Sequence, residues 1–175
     1  PSQSRGGLET CATAVICMAL LTERLAMPAH QLAQLNIATL LAPLDSPQLH
    51  DFAANLERIN ALGEASPGFV WRLKDEAGDA TGFRPFGDDV IVNMSVWQDI
   101  DTLADFAYRS EHVDFFRRRR EWFARMDTPG QVLWWVPHGH RPTLQEAATR
   151  LAQLAQHGPG PAAFTFARRF DAPAG

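Results

Sequence analysis

The residues best suited to chemistry lie in the second half of the chain, where a tyrosine and a histidine share a helical face. Tyr108 and His112 are four positions apart, so one turn of helix brings their side chains together. They could form a base and phenol pair beside a pocket, and His112 alone could ligate a haem iron. The alternative is a histidine that packs at a helix start. We favour that alternative because the sequence identifies no carboxylate to orient the ring.

Four consecutive arginines follow at positions 117–120. Each residue of a helix is rotated by about 100° from the last, so the four cannot face one way and most are predicted to be solvated or paired. Arg119 lies on the side of Phe116 and Trp122 and could hold an anionic or enolate oxygen in a pocket. The net charge of −4 argues against a general nucleic-acid binder, which is usually basic.

Familiar catalytic and metal-binding motifs are missing from the sequence. His138 and His140 lie in a turn after a strand, but two histidines without a third ligand in spacing do not make a metal site. The glycines form no phosphate-binding or dinucleotide pattern, and Gly-x-Ser-x-Gly does not occur. Both cysteines, Cys11 and Cys17, precede the main body. Their position indicates neither a disulfide framework nor thiol catalysis, and it fits a reducing cytoplasm.

The chain is predicted to hold one domain with short flanking segments. The apolar run at residues 11–21 is too short to cross a bilayer, so no membrane anchor is expected. Residues 1–26 are interpreted as an N-terminal extension outside the native domain, which would begin at Met27. The domain covers residues 27–170, and 171–175 form a frayed tail. Lysine occurs only as Lys74, a composition that suggests a bacterial source.

Hydrophobic periodicity predicts an alternation of strands and helices. Strands are predicted at residues 31–41, 69–74, 89–97 and 131–137, with a short last strand at 163–166. Helices are predicted from Ser46, as N-cap, to Gly63, over 99–108, and from Thr143 to Gly158. Between the last two, either Ser110 caps a new helix or the helix over 99–108 bends and continues, in both cases through Met126. The order is β-α-β-β-α-β followed by a helix and a strand. This is an α+β, ferredoxin-like pattern, an antiparallel sheet with helices on one face.

Alternation along the strands separates two faces of the predicted sheet. The apolar set is a core face: Leu35, Ile37, Phe69, Trp71, Leu73, Val92, Met94 and Val96. The other set is too polar for a core: Gln34, Asn36, Arg72, Asn93, Ser95 and Trp97. It either lines a ligand cavity or forms the polar side of a dimer interface. Trp134 and Trp135 must point to opposite faces.

Six segments together resemble a known family: residues 34–38, 67–73, 92–97, 108–112, 117–123 and 133–143. The family is an uncharacterised bacterial one, a numbered domain of unknown function. It is placed with the dimeric α/β-barrel proteins, alongside antibiotic-biosynthesis monooxygenases. The resemblance covers about residues 30–170. It implies a ferredoxin-like fold and a homodimer, but it supplies no reaction. Independently of the resemblance, the sheet face without helices must be covered, and a second copy of the chain is an economical cover.

These observations lead to one main hypothesis and two alternatives. The main one is a homodimer with an aromatic-lined pocket for a small, largely apolar molecule. By resemblance, cofactor-independent oxygenation is one activity of such a pocket. In that mechanism His112 is the base, with Tyr108 beside it, and the candidate enolate stabilisers are Asn36, Asn93 and Arg72. The residues expected to contact substrate are Trp71, Trp97, Trp122, Trp135, Arg119 and Phe116. The alternatives are a non-catalytic homodimeric binding or structural protein, and a haem-binding protein that uses His112.

Overall fold

The computed structural model describes residues 28–109 and 117–174. Over these residues the chain forms one antiparallel sheet of four strands, three α-helices and two short 3-10 helices. The strands are β1 (His30–Thr39), β2 (Phe69–Arg72), β3 (Val90–Trp97) and β4 (Gln131–Pro137). The α-helices are α1 (His50–Glu64), α2 (Ile100–Arg109) and α3 (Leu144–His157). The 3-10 helices are Pro47–Leu49 and Arg119–Glu121.

The strand order confirms the predicted ferredoxin-like topology. Within the sheet the order is β2-β3-β1-β4, and each neighbouring pair is antiparallel. Each crossover helix therefore joins two strands that have a third strand between them: α1 joins β1 to β2 across β3, and α2 joins β3 to β4 across β1. Both of these helices lie over the same face of the sheet, where they leave a space above its centre.

Strand register confirms most of the predicted division into two faces. Gln34 pairs with Ser95 and Asn36 with Asn93, which places the polar residues of β1 and β3 together. Phe69 is the exception, because the register between β2 and β3 shifts after it. Phe69 lies opposite Trp97, and the two rings meet edge to face with their centroids 5.4 Å apart. The sequence prediction assigned Phe69 to the apolar face and was wrong, since a bulge reverses the alternation locally.

Helix α3 covers much of the opposite, apolar face. Three of its residues, Ala147, Leu151 and Leu154, are buried against a cluster that includes Val132 and Trp134. Side chains of the β2–β3 connection, among them Phe83 and Phe86, pack against the same cluster. The sequence prediction assigned this cover to a second copy of the chain. In the described part of the chain, α3 and the β2–β3 connection cover this face instead. The homodimer remains a prediction.

Three local features differ from the sequence predictions. Ser46 precedes the helical segment as expected, but its side chain makes no capping hydrogen bond. The helix predicted through Met126 ends by Glu121 in its described part, because the backbone beyond it bonds to the end of β1. There Leu41 N donates to Trp122 O at 2.9 Å and Ala124 N donates to Thr39 O at 2.9 Å. The predicted last strand forms only isolated β-bridges, of which the one between Phe164 and Leu133 joins it to β4.

No helix in residues 28–109 and 117–174 is both long enough and apolar enough to cross a membrane.

A carboxylate at the start of α3 connects this helix to the sheet. Thr143 Oγ1 accepts from Glu146 N at 3.1 Å, which is the predicted cap. The Glu146 carboxylate accepts from Trp134 Nε1 at 3.0 Å and contacts His140 Nε2 at 2.8 Å. Burial raises the pKa of Glu146, but the hydrogen bonds from His140 and Trp134 outweigh burial, so the net pKa lies below the ordinary value.

We expect Glu146→Gln to lower the free energy of unfolding by about 1 kcal/mol at pH 7, because a charge-assisted hydrogen bond is lost. A pKa lowered by folding contributes stability above the unfolded pKa, and this contribution disappears as the pH falls through the folded value. The difference between wild type and variant should therefore shrink below about pH 4. Urea denaturation at pH 7 and pH 3 measures it, with Glu57→Gln on the exposed side of α1 as the control. An undiminished difference at pH 3 would contradict the role of the charge.

Candidate functional site

The space between the polar sheet face and helices α1 and α2 is a partly open cavity of about 520 Å³. This volume lies within the range of pockets that bind small organic molecules. Helix α1 contributes a stripe at helical spacing that faces the sheet, formed by Phe52, Asn55, Leu56, Ile59, Asn60 and Gly63. Helix α2 contributes Leu103, Phe106, Ala107 and Tyr108. The walls are therefore mainly apolar.

Aromatic rings close one end of the cavity where α1 and α2 converge. Gly63 is buried, and a Cβ placed on it would lie 3.4 Å from the Phe106 ring. The Phe106 ring stacks on Trp97, with centroids 5.1 Å apart and an interplanar angle of 24°. Trp97 is only 1% exposed, and Phe69 meets its edge. A Cβ at position 63 would make an ordinary van der Waals contact with the Phe106 ring, so there is room for alanine next to this stack but little for a longer side chain.

The opposite end is closed by Trp122 and Phe123. Trp122 is 2% exposed, and its ring lies 5.6 Å from Phe52. The Arg118 guanidinium lies 4.9 Å from the centroid of the Trp122 ring on the outer side. Arg118 Nη2 also donates to Asp51 at 2.9 Å and to Glu121 at 2.8 Å. These contacts attach the 3-10 helix Arg119–Glu121 to the start of α1.

An exposed cleft of about 550 Å³ lies outside this end and includes the same charged groups. The hydrogen bond from Arg118 is the main cause that lowers the pKa of Asp51 and that of Glu121, and Glu121 is in turn the main cause that raises the pKa of Arg118. Asp51, Arg118 and Glu121 therefore satisfy one another, whereas Ser46 Oγ in the same cleft has no hydrogen-bond partner among the described residues. We take the cavity between the sheet and the helices as the candidate site, because it contains most of the predicted site residues.

The floor of the cavity is a connected set of polar side chains, Gln34, Asn36, Asn93 and Ser95, which we call the polar floor. Gln34 and Ser95 are 4% and 5% exposed. The Gln34 amide bonds to Asn93 Oδ1 at 2.8 Å, to Ser95 Oγ at 3.1 Å and to Asn36 Nδ2 at 2.8 Å. Trp97 Nε1 donates to Ser95 Oγ at 2.9 Å. The two asparagines are the more exposed members, so they face the cavity contents.

A paired arginine lies beside the polar floor. The Arg72 side chain is 12% exposed, and its Nε donates to Glu64 at 2.7 Å. Its Nη2 donates to the carbonyl oxygen of Gly78 at 2.7 Å. Nearby on the lining, Asp79 accepts from Thr81 N at 2.7 Å and from Thr81 Oγ1 at 2.6 Å. Arg72 and Asp79 thus both bond to other groups of the protein. This end of the cavity is polar, and the charge of Arg72 is paired with that of Glu64.

The structure brings most of the predicted site residues to the cavity. Its lining includes Asn36, Asn93, Arg72, Trp97, Trp122, Arg119 and Tyr108. Tyr108 lies at the rim, where it is 49% exposed and its ring lies 5.4 Å from that of Phe166. His112 and Phe116 lie outside the described residues, so the proposed pairing of Tyr108 with His112 is untested.

Two predicted tryptophans lie away from the cavity. Trp71 packs against the apolar face that α3 covers. Trp135 shares a face with the polar floor, but it packs against Phe164 and donates from Nε1 to Phe170 O at 2.8 Å. The C-terminal segment thus occupies the surface that Trp135 would otherwise offer to a ligand. Neither residue contributes to the cavity lining.

The prediction of site residues omitted Gln34, Ser95 and the contribution of α1. Gln34 and Ser95 were assigned to the polar face but were not predicted as site residues. The sequence does not show that Gln34 is the residue that hydrogen-bonds to the other three. On α1, Asn55 and Asn60 interrupt the apolar stripe. Polar residues on the side of a helix that faces the sheet were a readable signal of a polar space beneath it.

The described residues contain no group of three histidine, cysteine, aspartate or glutamate side chains that could hold a metal ion. His140 contacts Glu146, and His138 is exposed at the end of β4.

Comparisons with known proteins identify a family but no reaction. A family described as a domain of unknown function, DUF3291, matches residues 31–175. No curated protein matches the sequence. Among solved structures, SnoaB, a cofactor-independent oxygenase from Streptomyces nogalater, is similar at 19% identity and a TM-score of 0.38. The alignment covers 66% of this chain and 98% of SnoaB. A similarity at this TM-score carries no argument about activity.

We expect Ser95→Ala to lower the free energy of unfolding by about 1–3 kcal/mol, because it leaves the buried Trp97 N–H without an acceptor. Urea denaturation followed by tryptophan fluorescence measures the change. Thr149→Ala, which removes an exposed hydroxyl from α3, is the control and should change stability by less than about 0.5 kcal/mol. Equal effects of the two substitutions would show that the Ser95 contacts add no stability.

Proposed function

Because the chain belongs to the DUF3291 family, whose function is unknown, we propose a function from the geometry of the site. The protein binds a small, largely apolar organic molecule in the cavity between the sheet and helices α1 and α2. One observation carries this proposal: a cavity of about 520 Å³ combines aromatic and aliphatic walls with a hydrogen-bonded polar floor. Few, fixed polar groups in an apolar enclosure are typical of small-molecule sites.

The polar floor supports binding over a purely structural role. A sheet face that served only as core would carry apolar residues, as the opposite face of this sheet does. Here the centre of the sheet carries two asparagines that remain accessible within the cavity. Each asparagine bonds to Gln34 with one end of its amide, and the other end stays accessible to a ligand.

We expect Ala107→Phe to abolish binding, because a phenyl group from α2 would fill part of the cavity. The measurement is the fluorescence of prodan, a neutral solvatochromic naphthalene dye, whose emission shifts to the blue in an apolar site. Wild type should shift the emission in a saturable manner, and the variant should weaken the apparent affinity at least about tenfold.

The matched control for this experiment is Ala54→Phe, which adds the same group to the exposed side of α1. It should leave the dye titration unchanged. Unfolding curves of both variants establish that they are folded. Saturable binding that is equal in Ala107→Phe and Ala54→Phe would place the dye elsewhere and contradict the proposal.

A second proposal is that the cavity also supports cofactor-independent, monooxygenase-like chemistry on an aromatic substrate. The favouring observation is the position of Asn93 and Arg72 on one side of the cavity, where N–H groups could stabilise an enolate oxygen; Asn36, the third predicted stabiliser, lies beside them with its NH₂ group on Gln34. In such a reaction a substrate CH₂ loses two hydrogens, gains one oxygen atom from O₂ as a carbonyl, and the other oxygen leaves as water. His112, the base predicted from the sequence, lies outside the described residues. The haem alternative also depends on His112, and no feature of the described residues supports it.

Oxygen consumption with hydroxylated polycyclic ketones tests the second proposal. If a substrate is found, Asn93→Ala should lower kcat by about a hundredfold, because a donor to the developing oxyanion is lost. Asn55→Ala, also on the lining but on α1, is the control and should affect KM more than kcat. Retention of full kcat in Asn93→Ala would remove the asparagine from the mechanism.

Homodimerisation stays a proposal that rests on the family resemblance. Helix α3 already covers the apolar sheet face, so a second copy would contact a different surface.

A further inference from the structure

The polar floor carries information about the ligand that goes beyond binding an apolar molecule. Each amide has one end that donates hydrogen bonds and one that accepts them. The Gln34 amide contacts Asn36 with its oxygen and Asn93 with its nitrogen. Gln34 is 4% exposed, so these bonds lie beneath the cavity surface. Asn36 Oδ1 and Asn93 Nδ2 make no hydrogen bond to the described residues, and they are the ends left for a ligand.

The two asparagines therefore present opposite characters to the cavity. Asn36 uses its NH₂ group on Gln34 and leaves its oxygen, whereas Asn93 uses its oxygen and leaves its NH₂ group. This result does not depend on which end of each amide is oxygen. If all three amides were turned over, Asn93 would leave the oxygen and Asn36 the NH₂ group. One glutamine amide between two asparagines always yields one acceptor and one donor.

The strand register places this donor and acceptor side by side. Asn36 and Asn93 are directly opposite each other on β1 and β3, on the same face. Side chains in such a pair have Cβ atoms about 5 Å apart. This spacing matches a ligand group whose donor and acceptor atoms are neighbours, such as a lactam, a primary or secondary amide, or a hydroxyl beside a carbonyl.

The charges around the floor favour a neutral group. Arg72 is paired with Glu64, and Asp79 accepts two bonds from Thr81. A carboxylate has only acceptor atoms, so one of its oxygens would face the oxygen that the asparagine pair presents. The floor therefore discriminates against a carboxylate even though an arginine is near.

We propose that the Asn36–Asn93 pair, oriented by Gln34, selects neutral ligands that carry an adjacent hydrogen-bond donor and acceptor. Asn36 and Asn93 contact the ligand, and Gln34 is a positioning residue. The proposal rests on the proposed binding function and specifies the class of ligand for the same cavity.

The test uses three aromatic probes of similar size: isoquinolinone, a lactam with both atoms; N-methylisoquinolinone, which lacks the donor; and naphthoate, which has acceptors only. Calorimetric or NMR titration of the wild-type protein should show isoquinolinone binding about tenfold more tightly than either of the others, the loss expected for one neutral hydrogen bond. N-methylation adds little volume relative to the cavity, so size does not explain such a difference.

Two variants separate positioning from direct contact. Gln34→Met retains the side-chain length but frees both asparagines to rotate, so the preference for isoquinolinone over its N-methyl form should fall to about threefold or less. Asn36→Leu (Asn93→Leu if the amides are turned over) removes the oxygen that accepts the ligand N–H, so isoquinolinone affinity should fall to that of the N-methyl form. If Gln34→Met does not fold, this variant still decides the question.

The outcomes distinguish this proposal from the binding function. Equal affinity for isoquinolinone and its N-methyl form, or tighter binding of naphthoate, overturns the ligand class while the cavity still binds. Preference for isoquinolinone that persists in both Asn36→Leu and Asn93→Leu also overturns it. If none of the three probes binds and prodan does not bind, the proposed function fails together with the ligand class.

Discussion

The amide of Gln34 must be satisfied in the middle of the sheet, and much of the site depends on how this is done. A buried amide without partners would cost more than most single contacts contribute, so its neighbours on β1 and β3 are polar. Because Ser95 and the two asparagines surround this amide, this part of the sheet cannot pack as an apolar core. A cavity therefore separates it from the helices above, and Trp97, held by its hydrogen bond to Ser95, lies at one end of that cavity.

Aromatic packing turns that space into an enclosure. The stack of Phe106 on Trp97 joins α2 to the sheet at one end, and the contact of Trp122 with Phe52 joins α1 to the chain beyond β1 at the other. Each end is a ring pair that bridges two elements, so the helices are held apart from the floor along the middle of the cavity. The walls are thus set by the fold itself, which is the usual condition for a pocket that exists before its ligand arrives.

The sequence was sufficient for the order of elements and for the polar character of one sheet face, since both follow from local periodicity. It was insufficient wherever a residue's role depends on a partner distant in the chain. The bulge that turns Phe69 over arises from pairing with β3, and the early end of the helix near Trp122 arises from bonds to β1. Trp71 and Trp135 were assigned to a pocket by residue type. Alternation predicts the face that each occupies, but not that α3 and the C-terminal segment cover those positions.

The position of α3 has a consequence for how the protein responds to its own concentration. In a fold whose apolar sheet face is buried by a second copy, folding and association are one equilibrium, and stability falls on dilution. Here Leu151 and Leu154 bury that face from within the same chain. Burial of that face therefore needs no second copy of the chain and does not weaken on dilution. A loss of stability on dilution would instead report on a dimer contact at another surface.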